Sequence, residues 1–292
     1  MKLSLKNIII LIRPHQYIKN LIVFFPLFFS MELLKPELLL SSFIAFIAFS
    51  ICSSSVYILN DYFDIENDRH HPFKKYRPLA AGTVSIQFAF TIMALLFIIG
   101  GALMITLSFN AGLILGGYIL MNILYSLKLK HVVILDVLIV ATGFVLRLFV
   151  GSAATMIPLS RWIVLMTFLL ALFMAFGKRR DDVLMFEETG KKMREVINGY
   201  NLRFLDGAMM IMASVVIVAY ILYTTDSEVI LRLKSDYVYL TAIFVIAGLL
   251  RYLQITFVEN KSGDPTQIAL KDKFLHVTIL SWLGAFFWLL YL

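Results

Sequence analysis

From Pro78 to Leu127 the chain runs for 50 residues without a single charged side chain. A stretch of about 20 apolar residues already spans a bilayer, so this run is long enough for two membrane helices. Leu38 to Asn60 adds 23 uncharged residues, and Gly207 to Thr225 and Phe274 to Leu292 add 19 each. Apolar residues make up 60% of the 292, and charged residues only 15%. A soluble fold has nowhere to bury that much apolar surface, and a transmembrane barrel would show short alternating segments instead. Disordered, fibrous and coiled-coil classes fail on the same composition.

The remaining spans are less clean. Asn20 to Met31 is short, which places the start of the first helix near Pro14, a residue tolerated in a first turn. His131 to Val150 contains Asp136 and Arg147, Trp162 to Gly177 has 16 residues, and Tyr237 to Val258 is broken only by Arg251. The turn inside the longest run is expected near Ser108-Phe109-Asn110, since Ser and Asn favour turns and caps. The reading is an all-α polytopic membrane protein with nine transmembrane helices. It forms a single domain, 1–292, with polar segments at 61–77, 178–206 and 259–273. If the N-terminus is cytoplasmic, all of the 26 basic residues except Lys35, Arg147, Arg161, Arg232 and Lys234 fall on the cytoplasmic side. That asymmetry obeys the positive-inside rule and puts the C-terminus outside. The net charge of +7 then reflects loops beside anionic lipid, and no nucleic-acid partner is expected. The N-terminal segment lacks a small-residue cleavage site, so no removable signal peptide is expected. The single cysteine, Cys52, lies in an apolar run and reads as packing.

The chemistry is concentrated in the polar links. Asp61, Asp64 and Asp68 stand at i, i+3 and i+7, which on a continuous helix aligns three carboxylates on one face. Such a cluster repels itself unless something positive sits within it. Hard oxygen donors suit Mg²⁺, usually held by one or two carboxylates plus substrate phosphates, and Asn60 adds an amide oxygen. Arg69, Lys74, Lys75 and Arg77 follow at once, the acid-then-base order expected around a metal–diphosphate complex. A solvated charged loop is the plainer alternative. His70 and His71 are neighbours and so do not face the same way on a helix, which argues against a paired histidine site.

Gly177-Lys178-Arg179-Arg180-Asp181-Asp182 places a basic triplet at a helix end, either as phosphate clamps or as a topology signal. Glu187, Glu188, Lys191, Lys192 and Arg194 read as a helical lid of mixed charge. Tyr125, Lys128 and Lys130 mark the link between the fourth and fifth helices. Asp136 nearby is either functional, as intramembrane acids tend to be, or a partner for Lys128 or Lys130. Arg147 either snorkels or pairs with a polar group across the bundle. Lys19 sits at a level where it can hold a lipid phosphate. No dinucleotide glycine motif, phosphate loop, zinc pattern or nucleophile elbow is present. A transporter would carry ionisable groups at mid-membrane, whereas these acids crowd one surface.

The stretch Asn60-Asp61-x-x-Asp64-x-x-x-Asp68, at the end of the second of nine helices, resembles the first aspartate-rich motif of the UbiA-type intramembrane prenyltransferase family. Within that family the chain resembles the decaprenyl-phosphate phosphoribosyltransferase branch. The matching stretches are Arg13-Pro14-His15-Gln16-Tyr17-Ile18-Lys19-Asn20, Asp68-Arg69-x-His71-Pro72-x-Lys74-x-x-Arg77-Pro78-Leu79-Ala80-Ala81-Gly82, Gly143-Phe144-Val145-Leu146-Arg147 with Gly177-Lys178-Arg179-Arg180, and Gly263-Asp264-Pro265. The chain departs from the aromatic-acceptor pattern at Lys178-Arg179-Arg180-Asp181-Asp182, which is more basic than the second aspartate-rich motif found there.

The resemblance implies a UbiA-like bundle in the inner (plasma) membrane with its active site facing the cytoplasm. It implies phosphoribosyl diphosphate bound as a Mg²⁺ complex on Asp61, Asp64 and Asp68, its 5-phosphate meeting part of the set Lys74, Arg77, Lys128, Lys178 and Arg179. Lys19, Asn60, Arg69 and Tyr125 complete the implied substrate-binding set, and Asp182 orients the ribose or joins the metal shell. The second substrate is a polyprenyl phosphate entering from the bilayer, for synthesis of a cell-envelope polysaccharide precursor. The rival within the same fold moves an isoprenoid from a prenyl diphosphate to an aromatic or other lipid acceptor.

Overall fold

The computed structural model describes residues 4–70, 73–190, 195–233, 235–259, 268 and 271–291. Among them there is no strand. Eight helical stretches are long and apolar enough to cross a membrane, and one further apolar helix, Lys273–Leu289, is shorter. The chain divides into two compact units, residues 1–159 and 160–292.

The first unit is built around α3, Pro36–Phe63. At about 1.5 Å per residue its 28 residues run for roughly 42 Å, longer than the hydrocarbon core of about 30 Å. It is long enough to overhang the apolar layer, and its last turn carries Asn60 and Asp61. Three more long helices pack on α3: α5 (Ile86–Leu107), α6 (Phe109–Leu127) and α7 (Leu135–Thr155). Ala45, Ala48, Phe49 and Cys52 of α3 share one buried cluster with Met104, Leu115, Tyr118 and Val150 of those neighbours. The α3–α5 approach is close: a Cβ on Gly100 would lie 2.7 Å from Cys52 Sγ and 2.8 Å from the Ala48 carbonyl oxygen. Small residues allow such backbone contact where hydrophobicity alone drives no association. The turn at Ser108 stands where the sequence places it, with the Ser108 hydroxyl accepting from the Ala111 N–H.

The first span differs from expectation. It begins at Leu5 rather than near Pro14, as α1 (Leu5–Ile12), a 3-10 segment (Pro14–Phe24) and α2 (Phe25–Phe29). Pro14 disfavours the helical conformation at the residue before it, and Arg13 sits in the left-handed region at φ 55°. The helix breaks there, and the sequence had placed its beginning at the break.

In the second unit α8 (Arg161–Thr189) packs on α9 (Leu202–Thr225), and α11 (Ala242–Phe257) packs on both α9 and α12 (Lys273–Tyr291). The short helices are α4 (Ile65–His70) in the first unit and α10 (Ser227–Leu233) in the second. The sequence ends the sixth helix at Gly177, but α8 continues through Lys178–Asp182 and stops at Gly190, whose φ of 65° suits a helix C-terminus. At the other end of this unit Trp282 Nε1 donates to the Tyr220 hydroxyl at 2.7 Å, which also bonds Thr241. Much of the polar segment 259–273, including Gly263-Asp264-Pro265, lies outside the described residues, as do His71, Pro72, Lys191, Lys192 and Arg194. Glu187 and Glu188 are exposed near the end of α8.

Candidate active site

The three aspartates do not share one helical face. The helix breaks at Asp64 (φ −98°, ψ 4°), so Asp61 belongs to α3 and Asp68 to the short α4. Arg77 Nη1 donates to both, to Asp61 at 3.0 Å and to Asp68 at 2.6 Å. Asp61 also pairs with Arg13, whose guanidinium lies over the Tyr57 ring. Asp64 points elsewhere: it accepts from Lys130 Nζ at 2.5 Å and from Asn60 Nδ2 at 3.1 Å. The Asn60 amide oxygen in turn accepts from Ser126 at 3.2 Å, fixing which way the amide faces.

Two acids of this cluster are almost fully enclosed, Asp61 at 2% exposure and Asp68 at 3%. Burial pushes the Asp68 carboxyl above the ordinary aspartate range, and Arg77 and Lys74 pull it partly back. Three carboxylates are thus balanced by Arg13, Arg77 and Lys130. Buried charges are costly unless paired or hydrogen-bonded, and removing one partner leaves the other with the full desolvation cost.

Among the described residues, no three acidic, histidine or cysteine side chains stand close enough to hold a metal as they lie. The chemistry of the donor set nonetheless fits a hard divalent cation. Asp61, Asp64 and Asp68 offer oxygens only, and their present counter-ions are side-chain cations. Those cations are also what an anionic diphosphate needs.

Arg13 and Lys130 were not singled out as ligands from the sequence. Arg13 reads there as part of a motif, and Lys130 as a candidate partner of Asp136. Only the fold shows them reaching acids 48 and 66 positions away. Asp136 is fully buried, and Lys130 reaches Asp64. Lys74 and Tyr125 are half-buried, and Lys74 lies within electrostatic range of Asp68. Lys19 is half-buried on the 3-10 segment. Lys128 is exposed and bonds no described residue. Arg69 faces outward, donating to Glu66 at 2.8 Å with half of its side chain exposed. Arg147 takes the cross-bundle option, bonding Asn20, Gly143 and Tyr118.

The second unit carries its own ionic group. Arg179 pairs with Asp182 one turn on, at 3.0 Å, both enclosed. Arg180 donates to Asp206 at 2.6 Å and to the Thr256 carbonyl at 2.8 Å, tying α9 and the end of α11 to α8. Lys178, half-buried beside them, bonds no described residue.

The UbiA prenyltransferase family profile matches residues 22–291. The chain is 33% identical to the decaprenyl-phosphate phosphoribosyltransferase of Mycolicibacterium smegmatis, over 94% of this chain and 89% of that one. It is 32% identical to the protein of the same name from Corynebacterium glutamicum, over 93% and 82%. Among solved structures, a UbiA homologue from Archaeoglobus fulgidus bound to GPP and Mg²⁺ superposes with a TM-score of 0.72, covering 98% of this chain and all of that one at 17% identity. At that identity the likeness speaks for the fold alone. The family profile covers nearly the whole chain, and the relatives cover most of their own length: the chain belongs to the UbiA prenyltransferase family of membrane-embedded enzymes.

Proposed function

We propose that the protein transfers the 5-phosphoribosyl group of phosphoribosyl diphosphate to a polyprenyl phosphate, giving polyprenyl-phosphoryl-5-phosphoribose and diphosphate. The observation that carries the reading is the cluster of three aspartates interleaved with Arg13, Arg77 and Lys130 where α3 leaves the apolar layer. The substrate pair comes from relatives about one-third identical over nearly the full chain.

Asp61, Asp64 and Asp68 would hold Mg²⁺, which would offset the charge of the donor's diphosphate and of the leaving group. As the carboxylates take that role, Arg13, Arg77 and Lys130 turn from them to the donor's phosphate oxygens. Arg gives two-pronged contacts and Lys a point charge. Lys74 and Lys128 extend the same basic set, and Lys19 is assigned to the lipid phosphate. The lipid phosphate oxygen attacks ribose C1 as the C1–diphosphate bond breaks. The attacking oxygen is already anionic, so the chain supplies orientation and charge stabilisation rather than a strong base. The positive-inside pattern supports a cytoplasmic location for this cluster, at the plasma membrane, where the product would feed cell-envelope polysaccharide synthesis.

A second reading moves an isoprenoid from a prenyl diphosphate to an aromatic or other lipid acceptor. The match to the prenyltransferase family as a whole is what favours it. The two separate when purified protein is incubated with radiolabelled phosphoribosyl diphosphate, Mg²⁺ and polyprenyl phosphate. Label entering the organic phase is expected. No label, together with turnover of prenyl diphosphate and an aromatic acid, overturns the proposal.

A further inference from the structure

Arg147 is 5% exposed, lies within α7, and has no carboxylate in ion-pair range among the described residues. Its donors are spent on neutral acceptors: Nε on Asn20 Oδ1 at 2.8 Å, Nη1 on the Gly143 carbonyl at 2.7 Å, and Nη2 on the Tyr118 hydroxyl at 3.1 Å. The guanidinium also faces the rings of Phe49, Tyr118 and Phe144 at 5.0–5.1 Å. A buried cation inside a membrane helix is costly, and this one is retained without a counter-charge.

What it grips is the unusual part of the first span. The 3-10 segment runs for 11 residues, where three or four is the ordinary limit, so it needs bracing from outside. Three braces come from one face of α3. Ser50 accepts from Asn20 Nδ2 at 2.9 Å. Ser54 bonds the Tyr17 hydroxyl at 2.9 Å and donates to the Ile12 carbonyl at 2.6 Å, just before the break at Arg13. Asp61 takes Arg13 itself. The spacing 50, 54, 61 keeps these groups on one helical face. Asn20 is the far end of this ladder, and both ends of its amide are engaged: it donates to Ser50 and accepts from Arg147.

We infer that Arg147 is a positioning residue, which fixes the register of the 3-10 segment against α3 and so sets Arg13 on Asp61 at the far end of the ladder. Resting on the proposed reaction, this makes Arg147 a determinant of donor binding that never touches the donor. Loosening the ladder at Asn20 lets the segment slip, and Arg13 with it.

The test uses full-length protein in detergent with Arg147→Met, Asn20→Leu and the double variant, and two readouts. Amide hydrogen exchange across residues 14–24 should quicken on the order of ten-fold in each single variant, with α6 and the rest of α7 unchanged. KM for phosphoribosyl diphosphate should rise by a similar factor, and any rise in KM for polyprenyl phosphate, through Lys19 on the same segment, should be no larger. The double variant should be no worse than the poorer single, because the two residues act through one contact. Arg147→Lys, which keeps the charge but not the fork, should fall between. Unchanged exchange at 14–24 overturns the inference, as does exchange rising evenly over the whole unit. A rise in KM for the lipid instead of the donor overturns it too, by making Arg147 a lipid contact. If Arg147→Met does not fold, Asn20→Leu decides by the same measures. A wild-type protein inert toward phosphoribosyl diphosphate overturns the proposed reaction instead, and the exchange result still decides the role of Arg147.

Discussion

Lys130 reaches Asp64 across 66 positions of sequence, its ammonium 2.5 Å from the carboxylate. The contact draws Asp64 away from Asp61 and Asp68, which Arg77 bridges. The acids therefore form two ion-paired sets; in the proposed reaction each would exchange its cation for the metal, and the cation would turn to a phosphate.

Asp61→Asn and Asp64→Asn should each lower Mg²⁺-dependent turnover on the order of a hundred-fold or more while the protein stays folded. Chelation of divalent ions should abolish wild-type activity, and added Mg²⁺ should restore it. Full activity in either variant would remove that residue from the proposed metal shell. Steady-state rates over a Mg²⁺ titration make the comparison.

Lys130→Met should raise KM for the donor about ten-fold and spare kcat, the pattern of a lost binding contact. Lys75→Met is the control, since Lys75 is exposed and lies only over the Tyr76 ring. Equal effects from both would mean that general positive charge, and not the Lys130 position, matters.

Gly151→Ala should destabilise the first unit by about 1–3 kcal/mol, because a Cβ there would collide with the Val23 carbonyl oxygen. Gly101→Ala should be neutral, as a Cβ there meets nothing within 4 Å. Thermal unfolding in detergent reads the difference, and equal midpoints would contradict the close approach of α7 to the 3-10 segment.

Cys52 is fully buried against α5 and should resist a maleimide in the folded protein, then label once denatured. Rapid labelling of the native protein would contradict the α3–α5 packing.

Much of this was legible in the sequence because membrane helices are written in composition. The uncharged run from Pro78 to Leu127 gave two helices and, at Ser108, the turn between them. The acid spacing picked out the candidate cluster but not its pairing, since periodicity assumes an unbroken helix and α3 ends at Asp64. The same assumption cut α8 short at Gly177: charge was read as an exit from the helix, while Arg179 and Asp182 satisfy one another within it. Arg13 and Lys130 were hidden for a different reason. Their partners lie 48 and 66 residues away, and no local pattern encodes contacts of that range.

Mass spectrometry of the lipids recovered from a reaction containing polyprenyl phosphate, phosphoribosyl diphosphate and Mg²⁺ tests the central claim most directly. The expected result is a lipid heavier by one phosphoribosyl group, formed by the wild-type protein and missing with Asp61→Asn. An unmodified polyprenyl phosphate, alongside prenylation of an aromatic acceptor when prenyl diphosphate is supplied, would contradict it.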